Sequence, residues 1–282
     1  MRKRQVFAMA RLRLQYREFG GGEKTLVILH GLLGSSQNWQ RPANMLAEKY
    51  RVLVVDQRNH GQSPHTSTHT LAEMREDLKN FFEAQSLSHA YVLGHSMGGM
   101  AAMEFAWMYP EKLQGLIVED IAPRSYHNSS EDILAALAEL DLSGIASRQE
   151  ADGQLSAKIP EVAVRQFVLT NLARHEQGTY YWRANLPALQ AYQKEIASYL
   201  PPVQARYQGA TLFIGGSNSE HAIDRDRDLL RRHFPNSTLV MIPDAGHWIH
   251  FEAVEAFVAA VQRFIDGGLQ AFDDEAATRT QQ

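Results

Sequence analysis

Short, almost unbroken apolar runs alternate along this chain with stretches whose apolar residues recur at helix spacing. The runs at 25–30, 51–56, 90–94, 113–119, 210–215 and 238–242 have the length and β-branched content of strands. The first of them is apolar at nearly every position, as expected of a central strand buried on both faces. Residues 71–83 and 254–265 carry apolar positions at helical period, and the second stretch stops at Gly267-Gly268. That alternation predicts an α/β fold: a mostly parallel central sheet flanked by helices. Residues 11–17 alternate with period two and read as an edge strand with arginines on its wet face. Segments around 4–10 and 12–19 are expected to pair antiparallel near the Gly20-Gly21-Gly22 turn.

The strand rhythm stops after Ile121. Helical patterns at 131–142, 162–173 and 186–199, punctuated by Pro160, Pro187, Pro201 and Pro202, fill the chain up to Gln208. The expected organisation is a core in two parts, 1–121 and 209–268, with a helical cap at 122–208 and a polar tail at 269–282. A cap placed there covers the carboxyl ends of the strands, where open α/β sheets bind ligands.

Composition narrows the class without choosing a chemistry. Over 282 residues, 44% hydrophobic and 21% charged residues with a net charge of −4 describe an ordinary globular protein. The acidic balance argues against nucleic acid or an anionic membrane as main partner. The chain has no cysteine, so disulfides, thiolate metal sites and a cysteine nucleophile are excluded together. No apolar run reaches membrane-spanning length. Met1-Arg2-Lys3-Arg4 lacks a following secretory apolar region, so the expected location is cytoplasmic, with a mitochondrial presequence as the rival.

The chemistry lies in Gly94-His95-Ser96-Met97-Gly98, between the strand at 90–94 and a helical stretch. A G-x-S-x-G string in that setting reads as a nucleophile elbow, which lifts a serine above the sheet edge on a strained turn. Serine needs a base, and the base needs an orienting group. His247, in Ala245-Gly246-His247-Trp248 after the last strand, is the expected base. His250 nearby reads more simply as a helix-start residue than as half of a metal pair. His30-Gly31-Leu32-Leu33-Gly34 follows the first core strand and can aim backbone N–H groups at an oxyanion; Leu32 and Met97 are the expected donors. Asp56 and Arg58 suit an ion pair or turn lock. His30, Met100, His127, Trp182 and Trp248 are candidates for substrate contact, together with Tyr126, although His30 suits bracing of its loop equally well.

In this order, the His30–Gly34 string, Asp56-Gln57-Arg58-Asn59-His60-Gly61, the Ser96 elbow, Glu119-Asp120-Ile121-Ala122-Pro123 and the His247 segment resemble the α/β-hydrolases. The Asp-x-Arg-Asn-His-Gly and Asp-Ile-Ala-Pro segments are most similar to the YbfF-type esterases. In the commoner family pattern the acid of the triad follows the strand at 210–215, but Gly215-Gly216-Ser217-Asn218 holds an amide at that place. The YbfF-type resemblance implies Asp120 instead, with Glu220 and Asp224 as alternatives. The implied activity is serine hydrolysis of carboxylic esters by Ser96, Asp120 and His247 without metal or organic cofactor, on a small-molecule ester or thioester. With a free-imidazole base, activity is expected to fall below a pH of about 6.5. Acyl-CoA thioesters, with Arg124, Arg165 and Arg183 as available cap cations, and carbon–carbon bond hydrolysis use the same residues. A receptor with a vestigial triad is the reading from another class.

Overall fold

The computed structural model describes residues 12–126 and 130–267. Seven strands form one sheet: β1 (Tyr16–Phe19), β2 (Thr25–Leu29), β3 (Arg51–Val55), β4 (Ala90–His95), β5 (Leu113–Glu119), β8 (Thr211–Gly216) and β9 (Ser237–Ile242). A separate antiparallel pair, β6 (Leu172–Arg174) and β7 (Tyr180–Trp182), lies in the long segment between β5 and β8. The large sheet has the order β1-β3-β2-β4-β5-β8-β9. Only β1 within it runs antiparallel, against β3; the other neighbours are parallel. The first strand lies at the sheet edge as expected, but it spans Tyr16–Phe19 and not the 11–17 stretch read from the alternation. Its partner is β3, whereas the segment around 4–10 lies outside the described residues.

Side-chain alternation along the strands divides the core into two layers. From β2, Val27 and Leu29 join α2 (Leu71–Ala84), α3 (Met97–Met108) and the end of α8 (Arg227–His233). Leu26 and Ile28 face α1 (Gln40–Leu46) and α10 (Val254–Gly267) on the other side. Neither face of β2 meets water, which is why its sequence is apolar at successive positions. α2 starts at a reciprocal cap in which Thr70 accepts from the Glu73 N–H while the Glu73 side chain accepts from the Thr70 N–H.

Between β5 and β8 the chain builds α4 (Glu131–Glu139), α5 (Arg148–Leu155), α6 (Val162–Leu169) and α7 (Leu186–Ala197) around an apolar cluster that includes Leu134, Leu137, Leu155, Leu169 and Leu189. Leu33, from the loop after β2, is buried in the same cluster. The stretch expected to be helical over 162–173 stops at Leu169. There the Thr170 hydroxyl donates to the Phe167 carbonyl at 2.7 Å and the Asn171 amide to Val168 at 3.3 Å, competing with helical bonds, and the chain continues into β6. α5, which periodicity did not reveal, carries Asp152 and Gly153 in its middle and buries only Ala151 and Leu155. A short helix, α9 (Ile249–Glu252), precedes α10.

Parallel register brings the strand exits together. Leu29 pairs with Gly94, His95 with Glu119, and Gly216 with Ile242. The loops after β2, β4, β5, β8 and β9 consequently open on one edge of the sheet, where this class of fold binds ligands.

Candidate active site

One residue, Ser96, separates β4 from α3, with φ 52° and ψ −118°. Such a backbone costs a non-glycine residue about 1–3 kcal/mol. It is held from both sides: the Ser96 N–H donates to the Glu119 carbonyl, and the Ser96 carbonyl accepts from Met100, each at 3.0 Å. A Cβ on Gly94 would lie 2.3 Å from the Gly98 carbonyl oxygen, and one on Gly98 would lie 2.4 Å from that of Leu29. The turn therefore packs backbone against backbone at a distance that only glycine allows.

After β2 the chain bends through Leu33 at φ 59°. Two buried imidazoles hold this bend. His30 Nε2 accepts from the Gln57 N–H at 3.1 Å while its Nδ1 donates to the Gly31 carbonyl at 2.8 Å. His60 Nε2 accepts from the Leu33 N–H at 3.1 Å, and its Nδ1 donates to the Arg58 carbonyl at 2.9 Å. Burial lowers the pKa of both rings, so they serve as neutral braces. His30 is thus corrected from a substrate contact to a loop support: it is wholly buried and both ring nitrogens are committed to backbone. Among the described residues, neither the Leu32 nor the Met97 N–H is paired with an acceptor.

Asp120, directly after β5, has φ 52° and is fully buried. Its Oδ2 accepts from His247 Nδ1 at 2.7 Å and from the Ser219 hydroxyl, and its Oδ1 accepts from the Gly216 N–H at 3.1 Å. His221 Nδ1 donates to the Asp120 carbonyl at 2.7 Å. With Nδ1–H of His247 given to a carboxylate, Nε2 is left as the unprotonated nitrogen. Glu220 and Asp224, the sequence alternatives, are exposed, the first in the loop after β8 and the second in the short 3-10 helix Ile223–Asp226 that follows it. Where the commoner family pattern has its acid this loop holds Asn218, and it supplies the Gly216 N–H and the Ser219 hydroxyl as donors to the carboxylate that arrives from β5. Ser219 and His221 were not legible in the sequence, since nothing local marks which polar loop residue faces a distant strand end.

Behind His247 lies a second buried set. His95 Nε2 donates to the His247 carbonyl at 2.9 Å, and Glu119 Oε1 accepts from the N–H of His250 at 2.8 Å and from its Nδ1 at 2.9 Å. The His250 ring stacks on Trp39 at 4.1 Å, 9° from parallel. Burial pushes Glu119 up to about 8 and both His95 and His250 down to about 3. The polar atoms of His95, Glu119 and His250, and likewise of Asp120, His221 and His247, are close enough to surround a cation. Within the first set His250 Nδ1 donates to the Glu119 carboxylate, and within the second His247 Nδ1 donates to Asp120 Oδ2. The carboxylate ending an otherwise apolar strand at Glu119 was the one sequence signal for this layer.

Two chambers meet at Ser96. One, about 40 Å³, lies against Met97, Met100, Ile121, Tyr126 and Tyr192. The other, about 60 Å³, is bounded by His247, Trp248, Ile133, Val164 and Phe167. Of the residues named as candidates for substrate contact, Met100 and Tyr126 line the first chamber and Trp248 the second. Trp182 lines neither: its Nε1 donates to the Leu137 carbonyl at 3.0 Å and its ring packs against the apolar cluster of the β5–β8 segment. His127 lies outside the described residues. Asp56 is a turn lock, accepting from the Ser36 N–H at 2.6 Å and the Gln62 N–H at 2.9 Å. Arg58 pairs instead with Asp77 at 2.5 Å and Glu73 at 2.9 Å.

Burial, reinforced by the His221 and His250 rings, holds His247 well below the usual imidazole value, and burial raises Asp120. The fall in activity expected near pH 6.5 therefore shifts to lower pH, because a desolvated imidazole resists its proton.

The model of the alpha/beta hydrolase fold family matches residues 24–254. The chain belongs to the α/β-hydrolase family. This hydrolase is 36% identical over 262 residues to the sn-1-specific diacylglycerol lipase ABHD11 of Danio rerio, spanning 89% of this chain and 82% of that one. It is 33% identical to the esterase YbfF of Escherichia coli, over 86% and 92% of the two chains. Among solved structures, a marine microorganism esterase superposes with a TM-score of 0.86 at 38% identity, covering 90% of the hydrolase and 99% of its own chain. The relatives are esterases and lipases by name, and the hydrolase is of that esterase and lipase type. Among the described residues no helix is long and apolar enough to cross a membrane.

Proposed function

We propose that this hydrolase cleaves carboxylic esters through an acyl-enzyme on Ser96, with His247 as base and Asp120 as the acid that orients it. The observation carrying this reading is the 2.7 Å bond from His247 Nδ1 to a buried, otherwise satisfied Asp120 carboxylate, beside a serine on a strained turn. His247 Nε2 takes the Ser96 hydroxyl proton as Oγ attacks the carbonyl carbon, and the oxyanion rests on the N–H groups of Leu32 and Met97. The carbon–alkoxy bond then breaks and the alkoxide receives the proton from His247. Water repeats the sequence and frees the acid and Ser96. In this reading residues 122–208 act as a cap that walls the chambers, in the cytoplasmic setting expected from the sequence.

Two of the three cap arginines named for an acyl-CoA rim are already committed, and Arg183 lines a separate cavity with Asp56 and Gln62 that Ser96 does not border. Arg124 is bound to Asp226 at 2.9 Å, and Arg165 to Asp152 at 3.0 Å and the Ile159 carbonyl at 2.8 Å. The test is hydrolysis of p-nitrophenyl acetate by the wild type, Ser96→Ala and Asp120→Asn. Turnover should vanish in the first variant and fall on the order of 10⁴-fold in the second, where the amide favours the wrong tautomer. Full activity in either variant removes this reading.

A further inference from the structure

Outside the chamber that holds His247 lies a trough of about 610 Å³ between α6 and α9. Phe167 and Trp248 line both spaces, with ring centroids 5.3 Å apart and planes tilted by 43°. The trough adjoins the His247 chamber, and the Phe167–Trp248 pair lies at the boundary between the two. Its walls include Ala163 and Phe251, and Phe251 is left 73% exposed. The carboxylate on the rim, Glu252, is committed to the Gly246 N–H at 2.6 Å and the Trp248 N–H at 3.1 Å. The trough falls within the size range of ligand sites, whereas the chamber at Met100 and Tyr192 has only about 40 Å³.

Chemistry assigns the two sides. The group that protonates the departing oxygen must stand beside it, so the alcohol half of the ester lies on the His247 side of Ser96. The acyl half then occupies the opposite side, against Met97, Met100 and Tyr192. We propose that the trough is a leaving-group site, holding the apolar tail of the alcohol half while the small chamber takes a short acyl half. The preferred substrate class is therefore an ester of a short acid with a long or bulky apolar alcohol. This assignment rests on Ser96 and His247 being nucleophile and base.

A pair of isomeric esters tests it, because dodecyl acetate and ethyl dodecanoate contain the same atoms with the ester reversed. The full chain should hydrolyse dodecyl acetate with a kcat/KM on the order of tenfold or more above that for ethyl dodecanoate. Ala163→Trp, at an exposed position of α6, fills the trough and should reduce that ratio about tenfold; Thr170→Trp supplies an independent obstruction. Equal rates, preference for ethyl dodecanoate, or obstructed variants that slow both esters alike would overturn the leaving-group site. If p-nitrophenyl acetate is still cleaved and Ser96→Ala is inactive, the serine mechanism survives that result. No turnover of any of the three esters would overturn the carboxylic-ester reading and the trough assignment together.

Discussion

At Ser96 a costly torsion persists because every alternative is blocked by backbone. Gly98 lies so near Leu29 that one methyl group would intrude on the carbonyl. Gly98→Ala should therefore lower unfolding free energy by about 1–3 kcal/mol, the cost of overpacking a tight site. Urea titration measures this, and esterase activity should fall as well, since the methyl pushes α3 and the Met97 N–H away from the oxyanion position. A neutral substitution would mean that the turn relaxes freely. The pH dependence belongs to this scale too. Burial holds His247 below 6.5, and in the proposed mechanism the neutral ring is the base. The acid limb of kcat/KM should therefore lie below pH 6.5, read with circular dichroism at each pH so that unfolding is separated from titration. An inflection above 6.5 would mean that the Asp120 charge outweighs burial.

Elements are tied to one another by polar groups buried between them. Arg58, in the loop after β3, reaches into α2 to meet Asp77 and Glu73, and its side chain is 8% exposed. Removing one partner from such a pair leaves the other charge buried and unpaired. Arg58→Met should thus destabilise the fold by about 3–5 kcal/mol, and adding Asp77→Leu should restore much of that loss. A double-mutant cycle from denaturant midpoints provides the measurement; a double variant no more stable than Arg58→Met would contradict the account. Glu119 does comparable work at the exit of β5, fastening α9 to that strand and so setting where the His247 loop comes to rest. Periodicity located these elements well. β5 has the expected bounds, and β2, β3, β4, β8 and β9 differ from theirs by a residue or so at the ends, because burial on both faces leaves a long apolar signature. α5 and the β6–β7 pair were missed, since three-residue strands and an eight-residue helix with little buried surface leave almost none.

Across the whole molecule, buried neutral histidines couple stability to acidity. His69, His95 and His250 are each held at about 3, and His60 well below 6.5. An unfolded histidine accepts its proton near 6.5, so between that pH and the folded values the unfolded chain binds more protons. Stability is then fully present above about pH 6.5 and is lost as pH falls. At pH 5 each of the three rings held at about 3 costs on the order of 2 kcal/mol, a large share of a domain's stability, and His60 acts in the same direction. Glu119, held at about 8, works in the opposite direction between about pH 4.5 and 8 and offsets part of the loss. The thermal midpoint should drop steeply from pH 7 to pH 5, and His69→Phe should flatten that slope. A midpoint independent of pH over this interval would show that these rings are solvated.

The order of the main-sheet strands from β2 onward, the sheet class, the serine turn and the late histidine were all written locally. Hydrophobic period records which faces meet water, and a G-x-S-x-G turn records a backbone that only glycine neighbours permit. Contacts between distant residues leave no comparable local trace. That Asp120, and not Glu220 or Asp224, meets His247 depends on parallel register placing the end of β5 beside the loop after β8. That His30 braces the loop while Met100 lines a chamber depends on which way each side chain points once the layers pack. The trough beyond Phe167 and Trp248 arises from α6 and α9 meeting across 82 residues of chain, from Phe167 to Ile249, and a cavity is a property of the surfaces that enclose it, not of either segment alone.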